Sequence, residues 1–133
     1  LRESGWYCIL LIMTNILANI VKEFSDAWGR ADLEALMPHL ADDFVFCASV
    51  GPEPGATYVG KEAAREGFRR MFSHDADWTP IPNEIFPFED RVMLLWGYRR
   101  EVDGKPVVVR GCDVFHFRGR LIIRKDAFRK VFG

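Results

Sequence analysis

VRGCDVFHFRGRLIIRKDAFRKV, Val109 to Val131, is the stretch whose reading decides the fold. Two runs of β-branched and aromatic residues flank Arg118-Gly119, and a short connection containing glycine between such runs is a hairpin signal. With Arg118 and Gly119 as the loop, Phe117 pairs with Arg120, Phe115 with Ile122, Asp113 with Arg124 and Gly111 with Asp126. Residues directly opposite share a face of the sheet. One face then carries Gly111, Asp113, Phe115, Phe117, Ile122, Arg124, Asp126 and Phe128, placing acidic groups and an arginine among aromatic rings. The other carries Arg110, Cys112, Val114, His116, Leu121, Ile123, Lys125 and Ala127. A longer loop would change this pairing.

Upstream, Arg91 to Val102 reads as a long strand, and Asp103-Gly104 is a strong hairpin turn into a strand from Pro106 to Phe117. Before it, SHDADWTPIPNEIFPFED mixes loop with edge strand, because prolines 80, 82 and 87 cannot donate to a central ladder. A helix from Lys61 to Phe72 opens after Gly60, with Ala64, Phe68 and Met71 or Phe72 inward. VGPEPGATYVG is loop by its glycine and proline content, and Phe44 to Ser49 is a strand entered through Asp42-Asp43. A short helix has Asp32 as N-cap and Leu33, Leu36, Met37 and Leu40 inward, with Pro38 limiting its length. The first helix starts at Met13, capped by Thr14 or Asn15. Its apolar stripe is Ile16, Leu17, Ile20, Val21, Phe24, Ala27 and Trp28, and it ends at Gly29.

This order of elements predicts an α+β fold in which a curved sheet wraps around three helices, leaving a cavity beneath its concave face. A chain of 133 residues, 49% hydrophobic and 14% aromatic, forms one domain with a substantial core. A net charge of −1 lacks the basic face that nucleic acid requires. Cys8, Cys47 and Cys112 are odd in number and widely spaced, which suits a reducing, cytoplasmic setting. Residues 1–12 read as an N-terminal extension to a single domain at 13–133, with a secretory signal peptide as the alternative reading of the apolar run Trp6 to Met13. That run is too short by itself to span a bilayer, so no membrane partner is expected.

From Ile20 to Phe132 the chain resembles the SnoaL-like branch of the nuclear transport factor 2-like superfamily, whose fold is also called cystatin-like. The resemblance rests on ADLEALMPHLADDFVF, YVGKEAAREGFRRMF and above all GCDVFHFRGRLIIRKDAF. It implies a cone-shaped mixed sheet, a small-molecule pocket and relatives such as ketosteroid isomerase and limonene epoxide hydrolase. The isomerase's general base falls on Ala48 and its phenolic donor on Phe24, while the acidic member of its oxyanion hole is matched by Asp113. For the hydrolase, the last aspartate matches Asp126, but its arginine and other aspartate fall near Leu95 and Gly97, and its water-holding pair near Phe46 and Ala48. Neither chemistry transfers intact.

Physically, a carboxyl group on an apolar face pays a large desolvation cost unless it is paired or protonated. Asp113 therefore either keeps its proton, as a donor or polariser, or pairs with Arg124, leaving Asp126 as candidate base. A satisfied structural ion pair is the competing reading of the same residues. Phe24, Trp28, Phe46, Ala48, Tyr58, Phe68, Trp96, Phe115, Arg124 and Phe128 are the expected lining of an apolar pocket, with Tyr98 and Trp78 at its rim. His74, Asp75 and Asp77 match no strong metal motif, and no metal or cofactor is expected. The expected partner is an apolar, oxygen-bearing small molecule. Val114, Leu121 and Ile123 form an apolar outer row suited to a homodimer through the outer sheet face. A binding or dimerising module without catalysis is the alternative function.

Overall fold

The computed structural model describes residues 2–131, with side chains described from residue 5 onward. Leu1, Phe132 and Gly133, assigned above to the extension and to the end of the domain, lie outside the described residues. Helix α1 spans Arg2–Gly29, α2 spans Leu33–Leu36 and continues as a 3-10 turn at Met37–His39, and α3 spans Lys61–His74. The strands are β1 (Leu40–Cys47), β2 (Thr57–Val59), β3 (Thr79–Phe88), β4 (Arg91–Val102), β5 (Lys105–Arg118) and β6 (Leu121–Arg129). They form one six-stranded sheet in the order β2-β1-β6-β5-β4-β3. Among the described residues only the β1–β6 pair is parallel, so the sheet is mixed and open. Helix α1 packs against β3 and β4, and α3 against β1 and β2. The α+β architecture expected from the order of elements is the one observed.

Helix α1 differs at its start. It runs unbroken through Met13, and Thr14 does not cap it: its Oγ1 donates to the Leu10 carbonyl at 2.6 Å, a bond made inside a helix. No proline or cap interrupts WYCILLIM, so nothing in the sequence stops the helix there. Trp6, Tyr7 and Ile9 to Ile12 are exposed, whereas Leu17, Val21, Phe24 and Ala27 form the buried line. Joined in this way, Gly5–Gly29 is long and apolar enough to cross a membrane by length and composition, although its second half is a core helix.

Two further elements depart from expectation. Strand β1 begins at Leu40 rather than Phe44, burying Leu40, Ala41, Phe44 and Phe46. β2 lies inside the stretch read as loop; it is three residues long and gains its identity only by pairing with β1, at Val45 with Val59 and Phe46 with Tyr58. The proline-rich β3 does lie at a sheet edge, as its missing donors require. Asp32 caps α2 through a bond from the Ala35 N–H at 3.2 Å.

The decisive difference is in the β5–β6 hairpin. Gly119 has φ of 61°, and Arg118 pairs with Leu121, so the loop is Gly119-Arg120. Glycine stands at its first position, where a two-residue turn of this kind needs positive φ. That change alone moves the pairing by two and leaves the faces as expected: Phe117 and Ile122 both point inward and are buried. The register then slips by one more residue between His116 and Phe117, because β6 carries a bulge at Ile123. A slip of one turns every later side chain to the other face. Asp113 now pairs with Ala127, Phe115 with Lys125 and Val114 with Asp126. Lys125, Ala127 and Arg129 therefore point inward, while Arg124, Asp126 and Phe128 point outward, the reverse of the sequence reading.

The core between the helices and the sheet is largely aromatic. Phe68 of α3 meets Phe24, Trp28, Phe44 and Phe46 edge-on, with ring centroids 4.9 to 6.0 Å apart. Its side chain is fully buried, so Phe68→Ala is predicted to cost about 3–5 kcal/mol in urea unfolding. Val59, 72% exposed on the edge strand β2, should lose no more than about 0.5 kcal/mol on replacement by alanine.

Candidate functional site

The inward rows of β4, β5 and β6, the end of β1 and the last turns of α1 enclose a cavity of about 50 Å³. That is room for roughly three or four waters, well below the ~300–1,000 Å³ of sites for drug-sized ligands. Its walls are Phe24, Trp28, Phe46, Trp96, Tyr98 and Phe115, with Leu94 and Ala127 between them.

Two charged residues are buried at this wall, Asp113 at 6% and Lys125 at 4% exposure. Asp113 pairs with Leu94 on one side and Ala127 on the other, so its diagonal neighbours are Trp96 and Lys125. Diagonal positions are within reach of long side chains. The Trp96 indole N–H donates to Asp113 Oδ1 at 2.9 Å, and Lys125 Nζ lies 3.3 Å from Oδ2. Lys125 stands beside Phe46, its parallel partner on β1, and its ammonium sits 4.3 Å from the centre of the Trp28 ring and 4.7 Å from that of Phe46. Ring faces attract a cation, most strongly where water is excluded. The carboxylate and the two rings together offset the cost of burying the ammonium.

Trp96 owes its position to Gly111. The two are paired, and a Cβ on Gly111 would stand 2.3 Å from the indole and 2.2 Å from the Phe128 carbonyl oxygen. Only a residue without a side chain lets the indole lie across β5 toward Asp113.

The mouth is held by a second ion pair. Arg129 donates through one nitrogen to both oxygens of Asp75, at 3.1 and 3.2 Å, and its Nε is 3.4 Å from Ser49 Oγ. The same guanidinium lies 5.2 Å from the Trp96 ring centre, and Asp75 also meets His74 Nδ1 at 2.8 Å. Asp75 thus ties the end of α3 to the end of β6 as an ion-pair partner. Among the described residues no group of three or more His, Cys, Asp or Glu side chains stands where it could hold a metal.

Tyr98 supplies a hydroxyl to the cavity. Burial pushes its phenol up to about 12, with the charges of Asp75 and Asp113 adding to the effect, so it remains an O–H donor at neutral pH. Burial also pushes the Cys47 and Cys112 thiols up, which makes both poor nucleophiles.

Of the residues expected in the pocket, the structure brings together Asp113, Phe24, Trp28, Phe46, Trp96 and Phe115. Ala48, Tyr58 and Phe68 do not line it; Tyr58 stacks on Phe46 and Phe68 belongs to the core. Arg124, Asp126 and Phe128 are carried to the outer face by the bulge, where Arg124 and Asp126 lie 3.8 Å apart and Phe128 borders an open hollow of about 350 Å³. Trp78 packs under Arg100, whose guanidinium is 4.4 Å from its ring centre. The sequence reading missed Lys125, Arg129 and Asp75, and placed Tyr98 only at the rim. Alternation after a bulge has no signature in residue type; the preference of glycine for the first loop position bears on the loop and not on the faces.

The sequence model of the SnoaL-like domain matches residues 21–125. The chain belongs to the SnoaL-like family. No curated protein matches it. Among solved structures, this SnoaL-like chain superposes on Bal32a, from a soil-derived mobile gene cassette, with a TM-score of 0.73 and 18% identity, over 88% of this chain and 91% of that one. An NTF2-like protein of unknown function from Mesorhizobium loti gives 0.73 at 21% identity, over 89% and 93%. A protein from Xanthomonas campestris pv. campestris provisionally named a polyketide cyclase gives 0.70 at 18%, over 88% and 92%. At these identities the likeness is one of fold.

The state of Tyr98 gives a pH prediction. A phenol whose ionisation is raised on folding contributes stability that is complete below about pH 10 and lost as pH rises toward about 12. Ultraviolet titration should show one of the three tyrosines ionising near pH 12, and Tyr98→Phe should remove that component and flatten the loss of stability between pH 10 and 12. A Tyr98→Phe titration unchanged from wild type would contradict this.

Proposed function

We propose that this SnoaL-like protein binds a small, mostly apolar molecule carrying oxygen, and that Asp113 is the group through which a proton is exchanged with it. The observation that carries the reading is Asp113 itself, a carboxylate buried among rings at the cavity wall and held in one orientation by Trp96 and Lys125. Polar groups converging in an apolar cavity are the usual construction of a small-molecule site. Tyr98 supplies a hydrogen-bond donor on the same wall. Asp126, facing the other side of the sheet, takes no part, so Asp113 carries both the basic and the orienting role. The fold neighbour named as a polyketide cyclase supports a ligand of this kind.

Ligand binding should quench the fluorescence of Trp28 and Trp96, which both line the cavity. Ala127→Leu projects a larger side chain into the space and is predicted to weaken binding of cyclohexanone or phenol on the order of tenfold, which corresponds to about 1.4 kcal/mol. Unchanged affinity would place the ligand elsewhere.

We also infer a homodimer through the outer sheet face, which exposes Phe86 and Met93, paired across β3 and β4, together with Phe88 and Phe128. An apolar surface of this kind is characteristic of an interaction site. Light scattering at micromolar concentration should give twice the chain mass, falling to the monomer in Met93→Glu/Phe128→Glu. A monomeric wild type would refute the dimer without touching the cavity.

A further inference from the structure

We propose that Asp113 and Lys125 act together as a reader of one functional group, an acidic hydroxyl on a flat ligand, such as a phenol or an enol. The proposal rests on the cavity-binding reading above and names the ligand class for it. A hydroxyl is donor and acceptor at a single atom. The buried pair presents an acceptor, Asp113 Oδ2, and a donor, Lys125 Nζ, 3.3 Å apart. One oxygen seated against both can donate its hydrogen to the carboxylate and accept from the ammonium at once. A ketone or ether oxygen uses only the ammonium and leaves the carboxylate facing an apolar group, which a buried acceptor penalises.

The surroundings fix the rest of the ligand. The walls beside the pair are rings, Trp28 and Phe46 with their faces to the ammonium and Trp96 with its N–H edge to the carboxylate, which favours a flat partner over a branched one. The volume of about 50 Å³ seats the hydroxyl and the leading edge of a ring, with the rest of the ligand directed to the mouth. Proton transfer from such a ligand is balanced within the pair. The O–H bond breaks with its electrons remaining on oxygen, the proton passes to Asp113, and the resulting oxyanion is left against the Lys125 ammonium. The three-way arrangement keeps the same net charge before and after.

The test compares 4-nitrophenol with its methyl ether, 4-nitroanisole, which has the same ring and no hydroxyl. In wild type the phenol should bind on the order of ten- to a hundredfold more tightly, as expected when a hydrogen bond to a charged group is lost. In Asp113→Asn the ammonium has lost its carboxylate, so the ionised phenol, followed by its own absorbance, should bind at least about tenfold more tightly than to wild type. The doubly neutral Asp113→Asn/Lys125→Met removes the unpaired charge and should bind both compounds alike, with the ether as tight as in wild type. Equal binding of phenol and ether by wild type, or persistent discrimination in the double variant, overturns the proposal while leaving the cavity as a binding site. If neither compound binds wild type, the cavity-binding reading falls with it.

Discussion

The ammonium of Lys125 and the carboxylate of Asp113 occupy a space otherwise built from rings, and neither would be tolerated there without the other. Burying an isolated ion costs several kcal/mol even after the protein relaxes, and the mutual attraction offsets this only with good geometry and further partners. Here the partners are present on both sides: the Trp96 N–H on the carboxylate and the faces of Trp28 and Phe46 on the ammonium. Each depends on a feature placed elsewhere in the fold. Trp96 needs the missing side chain of Gly111, Trp28 needs α1 to lie across β4, and Lys125 needs β6 to carry its bulge.

Bulges re-aim side chains, and this one exchanges an entire row. Without it, Arg124, Asp126 and Phe128 would face the helices and Lys125 would face solvent. With it, the interior receives a lysine that can lie between rings, and Asp126 is left beside Arg124 on the outside. Arg129, turned inward by the same slip, reaches Asp75 at the rim of the cavity. A single inserted residue therefore determines the ion pair of the wall and that of the entrance.

Much of the fold was legible from the chain because it depends on patterns that survive local irregularity. The stripe from Leu17 to Trp28, the Asp103-Gly104 turn and the prolines of β3 each predict an element by a mechanism, and each element is there. Thr14 and Asn15 look like caps and so place the start of α1 late, yet a cap residue inside a continuous apolar run has no force. β2 could not be seen, since three residues carry no period. In the site, Asp113 and Phe115 were recoverable from β5, whose alternation is regular, and Phe24 and Trp28 from the stripe of α1. Lys125, Arg129 and the true place of Asp126 were not, because they lie beyond an irregularity in the partner strand.

Membership of the SnoaL-like family supports a small-molecule site, and the cavity bears on what such a site would hold. Ala48 stands where the isomerase resemblance would put a base, and the carboxylate that the resemblance does match, Asp113, is held in a buried ion pair with Lys125. All of this stands on Asp113 and Lys125 being buried against each other. A double-mutant cycle in urea, with Asp113→Asn, Lys125→Met and the two combined, measures that directly. Each single change should cost about 3–5 kcal/mol by leaving one buried group unpaired, and the combined change should cost far less than their sum. Additive and small effects would mean that the two groups do not share the interior, and the account of the site would be wrong.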